Sequence, residues 1–392
     1  MDSLVKKNFI HELEEIDWDF AGEDGTDGFA NYHWYPARFI PQLAGVIINY
    51  FSEPDDVILD PFCGSGTTLV EAFRFGRRGV GIDLNPIGIL MTKAKLTAFD
   101  KKSFDSYRRE LEEKTKVKMN SYNLFSNKQT EELSVPNYQE NKDWYHNRTL
   151  RELASIWATI REYSQSKYYK VGLTAFSSIL RASCSQDKHW GWVCDNVKPD
   201  SFTYKNSFEK FSNKLSEYKH NAINLHKENK KFQKTETPVS NFEALQGDCF
   251  EELKKFPDQN FDLIVTSPPY FNTTDYIKSQ RLSFLWFGSD MENLQSKEIG
   301  ARYKRSRKNG FEEYSQEMRE AFSEINRVLK TDRYCVVVIG ESPKRESFVD
   351  KFESICKEIG FEGRQIIPRK ISKQRSLFPT LKNERIYIYQ KT

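Results

Sequence analysis

The stretch "VILDPFCGSGTTLVEA", residues 57–72, constrains the fold more than any other. It reads as a short apolar strand, a glycine turn and a helix. Gly64 and Gly66 let the backbone turn sharply and approach a ligand closely. Thr67 and Thr68 open the helix, whose first N–H groups lack backbone partners and favour a polar or anionic ligand. Asp60 closes the strand, where its carboxylate can accept from an amine. A glycine turn alone serves equally well to pack a helix on a strand, but this one does not stand alone. In "GVGIDLNP", Asp83 ends a second strand about 20 residues after the glycines, where an acid can hold two ribose hydroxyls. The turn lacks the lysine of a phosphate loop, and Leu69 stands where a dinucleotide motif has its last glycine. The pattern therefore suits a phosphate-free nucleoside. "LQGDCFEEL" puts Asp248 at the end of a third strand, able to accept from an adenine amino group.

Seven strand-like segments can be picked out, at 57–60, 79–83, 242–248, 262–267, 333–340, 365–369 and 384–389. Most are short apolar runs, as expected of strands covered on both faces. Helical patterns separate several of them, which predicts an α/β fold with a doubly wound parallel sheet. The alternation breaks between residues 101 and 240. This polar, Lys-rich block predicts a helical insertion between an N-terminal part, 1–100, and a C-terminal part, 241–392, of one α/β domain. Leu150, Leu153, Trp157 and Ile160 share one helical face. Phe208, Phe211, Leu215, Tyr218, Ala222 and Leu225 mark another. Residues 114–141 read as a loop.

Apolar residues make up 38% and charged residues 29% of the 392, which suits a soluble globular chain. A net charge of only +3 means that any nucleic-acid footprint must be local. No run approaches the ~18 apolar residues of a membrane span, and the acidic N-terminus has no signal core, so a cytoplasmic protein without membrane contact is expected. The six cysteines form no CxxC pair. Cys184, His189 and Cys194 match no usual zinc spacing, and no metal is expected.

The remaining motif is "VTSPPYFNTTDY", in which a buried strand ends in Ser267, Pro268, Pro269 and Tyr270. Two prolines fix φ and remove ladder donors, so the chain leaves the sheet in a stiff, defined shape. Together, "DPFCGSGTT", "GIDLNP", "GDCFEELKKFPDQNFDLIVTSPPY" and the upstream "HWYPARFIPQ" resemble the motifs of S-adenosylmethionine-dependent DNA amino-methyltransferases. The resemblance covers residues 31–98 and 241–392. It implies a seven-stranded Rossmann-like methyltransferase sheet whose last strand is antiparallel, and S-adenosylmethionine as cofactor. It also implies that Asp60, Cys63, Gly64 and Gly66 line the methionine part, with Pro61, Phe62, Thr67 and Thr68 as further cofactor-binding residues. Asp83 and Leu84 would meet the ribose, and Asp248 and Cys249 the adenine. His33, Tyr35, Pro36 and Arg38 would flank the methionine end, with Arg38 facing its carboxylate. An aromatic clasp on the core is the other reading of that segment.

The amino nitrogen of a nucleobase is a poor nucleophile, because its lone pair is delocalised into the ring. Two acceptors aimed at its N–H bonds turn that lone pair toward the methyl donor. By the resemblance these are the Ser267 side chain and the Pro268 carbonyl, held rigid in advance. Tyr270 would stack on a base flipped from double-stranded DNA. Related enzymes with serine before Pro-Pro act mostly on cytosine N4, and those with Asn or Asp mostly on adenine N6. Cytosine N4 is therefore the expected target. Adenine N6 is the main alternative, with cytosine C5, RNA guanine and a non-catalytic DNA-binding role behind it. Arg302, Lys304, Arg305, Arg307 and Lys308 form a basic run that is either a solvated face or a phosphate-contacting strip. In the insertion, Arg181, Gln186, Lys188, His189, Trp190, Trp192 and Asn196 are candidates for base reading, or surface residues of a packing module. A monomer or dimer that modifies DNA alongside a separate restriction endonuclease is the implied setting.

Overall fold

The computed structural model describes residues 13, 15–20, 28–36, 40–124, 135–186, 198–232, 241–271, 274–301, 304, 309–341, 346–370 and 383–392. In chain order the elements begin with α1 (Pro41–Phe51), β1 (Val57–Asp60), α2 (Thr67–Arg74), β2 (Arg78–Asp83) and α3 (Pro86–Lys95). Among the described residues five helices follow without a strand: α4 (Lys101–Leu124), α5 (Tyr138–Asn141), α6 (Asn147–Glu162), α7 (Tyr169–Ser183) and α8 (Ser207–Phe232). The chain then returns to the sheet with β3 (Phe242–Gln246), α9 (Cys249–Leu253) and β4 (Phe261–Thr266). It continues through α10 (Arg281–Phe287), α11 (Met291–Ser296), α12 (Gly310–Val328), β5 (Leu329–Glu341), α13 (Glu346–Glu358), β6 (Phe361–Lys370) and β7 (Asn383–Lys391).

The seven strands form one sheet in the order β3-β2-β1-β4-β5-β7-β6. Strands β1 to β5 are parallel to their neighbours, and β7 runs antiparallel between β5 and β6. From β1 the chain winds outward to β2 and β3, then returns to β4 on the other side. The junction of β1 and β4 is therefore the topological switch point, where the strand ends open a crevice for ligands. Strand β4 is buried along its whole length, as expected under two helical layers.

One face of the sheet carries α1, with Leu43, Ile47 and Ile48 packed against Ile58, Leu263 and Val336. On the other face α12 and α13 cover β4, β5 and β7 through Met318, Phe322 and Phe352. The insertion helices join a third cluster. Leu153, Trp157 and Phe176 share it with Leu69 and Phe73 of α2, Ile89 of α3 and Trp286 of α10. The insertion therefore shares a core with the helices that flank the glycine turn. No helix among the described residues is long and apolar enough to cross a membrane.

The expected apolar faces of α6 and α8 are buried, except that Phe208 is only half-buried. The loop expected over 114–141 is corrected for its first part, because α4 runs on to Leu124. That end carries few apolar residues and is fastened from outside, where Lys114 and Lys118 both pair with Glu162 of α6. Strand β3 stops at Gln246, so Asp248 does not end a strand. It caps α9, accepting from the Phe250 N–H at 2.9 Å. After the proline turn, a 3-10 turn at Lys278–Gln280 leads into α10 at Arg281.

Candidate active site

The carboxyl ends of β1, β2 and β4 border an open cleft of about 870 Å³, its solvent mouth included. Asp60, Pro61, Phe62, Cys63, Gly64 and Thr67 line it from the glycine turn. Asp83 and Leu84 line it after β2, and Asp248 and Cys249 at α9. Ser267 and Pro269 close the β4 side, and Tyr35 and Pro36 the remaining flank.

The turn is built by its glycines. Gly66 has φ +81° and caps α2, and Gly64 has φ +50°. A side chain at Gly66 would also collide with Thr92, whose Oγ1 would be 2.4 Å from the new Cβ. Gly66→Ala should therefore destabilise the protein by about 2–3 kcal/mol, since left-handed backbone alone costs alanine about 1–2 kcal/mol. Urea unfolding measures this, and a loss below about 0.5 kcal/mol would show that the turn absorbs the substitution.

Asp60 is only 2% exposed and already holds the site together. Its Oδ2 accepts from Thr68 Oγ1 at 2.6 Å, and its Oδ1 from Thr266 Oγ1 at 2.8 Å and the Phe62 N–H at 3.2 Å. Asp60 thus fastens the glycine turn to the end of β4, one residue before Ser267. Burial pushes its carboxyl up to about 6, against those three hydrogen bonds. Asp83 accepts from the Gly64 N–H at 2.7 Å and the Asn85 N–H at 2.8 Å. Burial likewise pushes it up to about 6. Asn85 caps α3 by accepting from the Ile87 N–H, with Pro86 in the first turn. Burial raises the Cys63 and Cys249 thiols well above their ordinary value, so neither is a ready thiolate.

Several residues singled out from the sequence are placed away from the cleft wall. Thr68 is fully buried and turned to Asp60. Gly66 lies behind the turn against Thr92. His33 is buried in a polar chain, with Nε2 at 2.8 Å from Ser177 Oγ and that hydroxyl at 2.7 Å from Ser283 Oγ. It ties the N-terminal segment to α7 and α10, so its geometry is that of a brace. Pro268 is buried. Tyr270 is 5% exposed and shows no open stacking face. Its hydroxyl donates to the Val338 carbonyl at 3.3 Å and is 2.9 Å from Ser267 Oγ. Lys304 is 6% exposed with Nζ 3.4 Å from Glu317, so it is not offered to a phosphate. The Arg181 guanidinium covers the Trp34 ring at 4.4 Å. Arg38, Lys188, His189, Trp190, Trp192, Cys194, Asn196, Arg302, Arg305, Arg307 and Lys308 lie outside the described residues.

Three contributors were not singled out from the sequence. Tyr314 of α12 donates to the Pro269 carbonyl at 2.8 Å, bracing the proline turn. Tyr276 lines the cleft and faces Tyr35 with ring centroids 6.4 Å apart. Glu298 also lines the cleft and is 5% exposed. One of its oxygens accepts from the Tyr276 and Ile277 N–H groups, and the other, Oε2, is buried with no hydrogen-bond partner among the described residues. Burial pushes this carboxyl up to about 8, with nearby Asp275 and Asp83 adding to the rise. Its one signal in the sequence is a glutamate beside an isoleucine and a glycine, a pattern shared with many surface positions.

Comparison with known proteins adds the family. A family model described as DNA methylase matches residues 10–94 and 261–392, more than half of the chain. The type II methyltransferase M.MjaII of Methanocaldococcus jannaschii is 25% identical, over 90% of this chain and 82% of that protein. M.MvaI of Kocuria varians is 27% identical over 65% of this chain, and M.BsoBI of Geobacillus stearothermophilus 25% over 74%. The chain spans 56% and 60% of those two relatives' lengths. On the family match, the chain belongs to the DNA methylases, the N6 and N4 amino-methyltransferases.

Proposed function

We propose that this protein transfers a methyl group from S-adenosylmethionine to the exocyclic N4 of a cytosine flipped out of DNA. The observation that carries this reading is the position of Ser267. It lines the same cleft as Asp60, Asp83 and Asp248, and its neighbour Thr266 is hydrogen-bonded to Asp60. The residues present fit the cofactor. The cleft is walled by carboxylates suited to hydroxyls and cations, and one of them, Glu298, has an oxygen without a partner. When bound, the cofactor supplies a sulfonium-activated methyl group.

The chain's own groups then orient the target. Ser267 Oγ and the Pro268 carbonyl accept the two amino N–H bonds, which turns the nitrogen lone pair toward the cofactor side of the cleft. Their value lies in being fixed before the base arrives, through the proline backbone and the Tyr314 bond to the adjacent carbonyl. Tyr270, buried and bonded to Ser267 and Val338, serves in this reading to orient the serine and does not stack on the base. Arg302, Arg305, Arg307 and Lys308 are proposed as phosphate contacts, and Lys188 and Trp190 as target-reading residues. DNA affinity should then fall steeply with salt. The relatives' names as type II methyltransferases support a modification role alongside a separate restriction endonuclease, in the cytoplasm.

Incubating DNA with the protein and labelled cofactor, then digesting to nucleosides, tests the assignment. N4-methylcytosine is expected. N6-methyladenine would overturn the choice of base, and cofactor binding without any transfer would overturn the enzymatic reading.

A further inference from the structure

Glu298 lines the cleft and keeps one hydrogen-bonding atom unused among the described residues. Its backbone belongs to the segment between α11 and α12, and its side chain reaches back to the segment that follows the Ser-Pro-Pro-Tyr turn. There one oxygen takes the N–H groups of Tyr276 and Ile277, which fixes the carboxyl plane. The second oxygen, Oε2, is buried and has no partner among the described residues. A buried, oriented and unsatisfied carboxyl oxygen costs free energy unless something else satisfies it.

We propose that Glu298 is a cofactor-binding residue whose Oε2 accepts a hydrogen bond from a hydroxyl or ammonium donor of the ligand. This rests on the methyltransferase reading above. Its consequence is mechanical as well as chemical. The carboxyl that touches the ligand also holds Tyr276 and Ile277, so cofactor binding is coupled to the segment leading out of the catalytic turn. The groups around it explain why it waits for a ligand. Asp83 after β2 and Asp275 on the following segment both disfavour a charged Glu298. The Tyr35 and Tyr276 rings supply no counter-charge, and Lys297 is exposed at the cleft mouth. With burial and these two acids pushing its carboxyl up to about 8, Glu298 keeps its proton at neutral pH. Accepting from the ligand as a carboxylate, the charge-assisted form proposed here, requires that proton to leave.

Isothermal titration of wild type and Glu298→Gln tests this, with S-adenosylhomocysteine and 5′-methylthioadenosine in buffers of different ionisation enthalpy. At pH 7 the wild type should release close to one more proton per S-adenosylhomocysteine bound than the variant does. The variant should also bind about tenfold more weakly, in keeping with loss of a charge-assisted hydrogen bond. Weakening toward both ligands identifies a ribose hydroxyl as the donor. Weakening toward S-adenosylhomocysteine alone identifies the ammonium. Equal affinity and equal proton release in the two proteins would overturn the proposal. A wild type that binds neither ligand would instead overturn the methyltransferase reading.

Discussion

Ser267→Ala should lower turnover by about 10²–10³-fold, the usual loss when one preorganised hydrogen-bonding group is removed from a reacting centre. Affinity for S-adenosylhomocysteine should stay within about twofold, because in the proposed reading the serine serves the base and not the nucleoside of the cofactor. The hydrogen-bond polarity supports this. Tyr270 has a single hydroxyl hydrogen, and it donates to the Val338 carbonyl. With that bond made, Ser267 is the donor and Tyr270 the acceptor in the 2.9 Å contact between the two hydroxyls, where either atom could donate. That leaves the serine lone pairs available, which is the polarity an incoming amino group needs. Tyr270→Phe would release the serine hydrogen and let the hydroxyl rotate, giving a smaller loss of about tenfold. Single-turnover transfer of labelled methyl groups reads both variants. Unchanged transfer by Ser267→Ala would remove that residue from the mechanism.

The strand and turn motifs were legible because each is local. An apolar run, two glycines and an acid at the next strand end are contiguous in the chain, so Asp60, Asp83 and the turn between them could be read without tertiary information. The seven-stranded sheet followed from the same short apolar runs. What was not legible depends on partners distant in sequence. Asp60 was read as a ligand acceptor, yet its oxygens are occupied by Thr68, Thr266 and Phe62. Thr266 lies 206 positions away, and nothing local announces the bond. Lys304 stood in a basic run and read as exposed, but the fold buries it beside Glu317. The far end of α4 read as a loop because its exposed face is charged and its support comes from α6. Glu298 was invisible for a related reason. A carboxylate becomes distinctive only when burial removes its water, and burial is a property of the assembled cleft.

The same burial makes the ligand-free protein lose stability as pH rises from 6 to 8.5. Glu298 ordinarily titrates near 4.5 and is pushed to about 8, and Asp60 and Asp83 move from 3.8 to about 6. In each case the folded state keeps a proton that the unfolded chain has already released. The stabilising contribution is therefore complete below about pH 4 and is lost as pH climbs through about 6 for the aspartates and about 8 for Glu298. Integrated over pH 6 to 8.5, the loss is about 3 kcal/mol, most of it from Glu298, on the order of 5 °C in Tm. His226, whose pKa burial lowers, works in the opposite direction near pH 6. The difference between the wild-type and Glu298→Gln melting curves removes that and other common terms. The variant should show a markedly flatter Tm profile over this range, and parallel profiles would mean that Glu298 is ionised in the empty cleft. Ligand binding carries the opposite sign. If the ligand takes up the deprotonated carboxyl, S-adenosylhomocysteine should bind wild type more tightly at pH 8.5 than at pH 6, where the apo protein is the more stable. The cleft thus trades intrinsic stability for cofactor affinity through one carboxyl group.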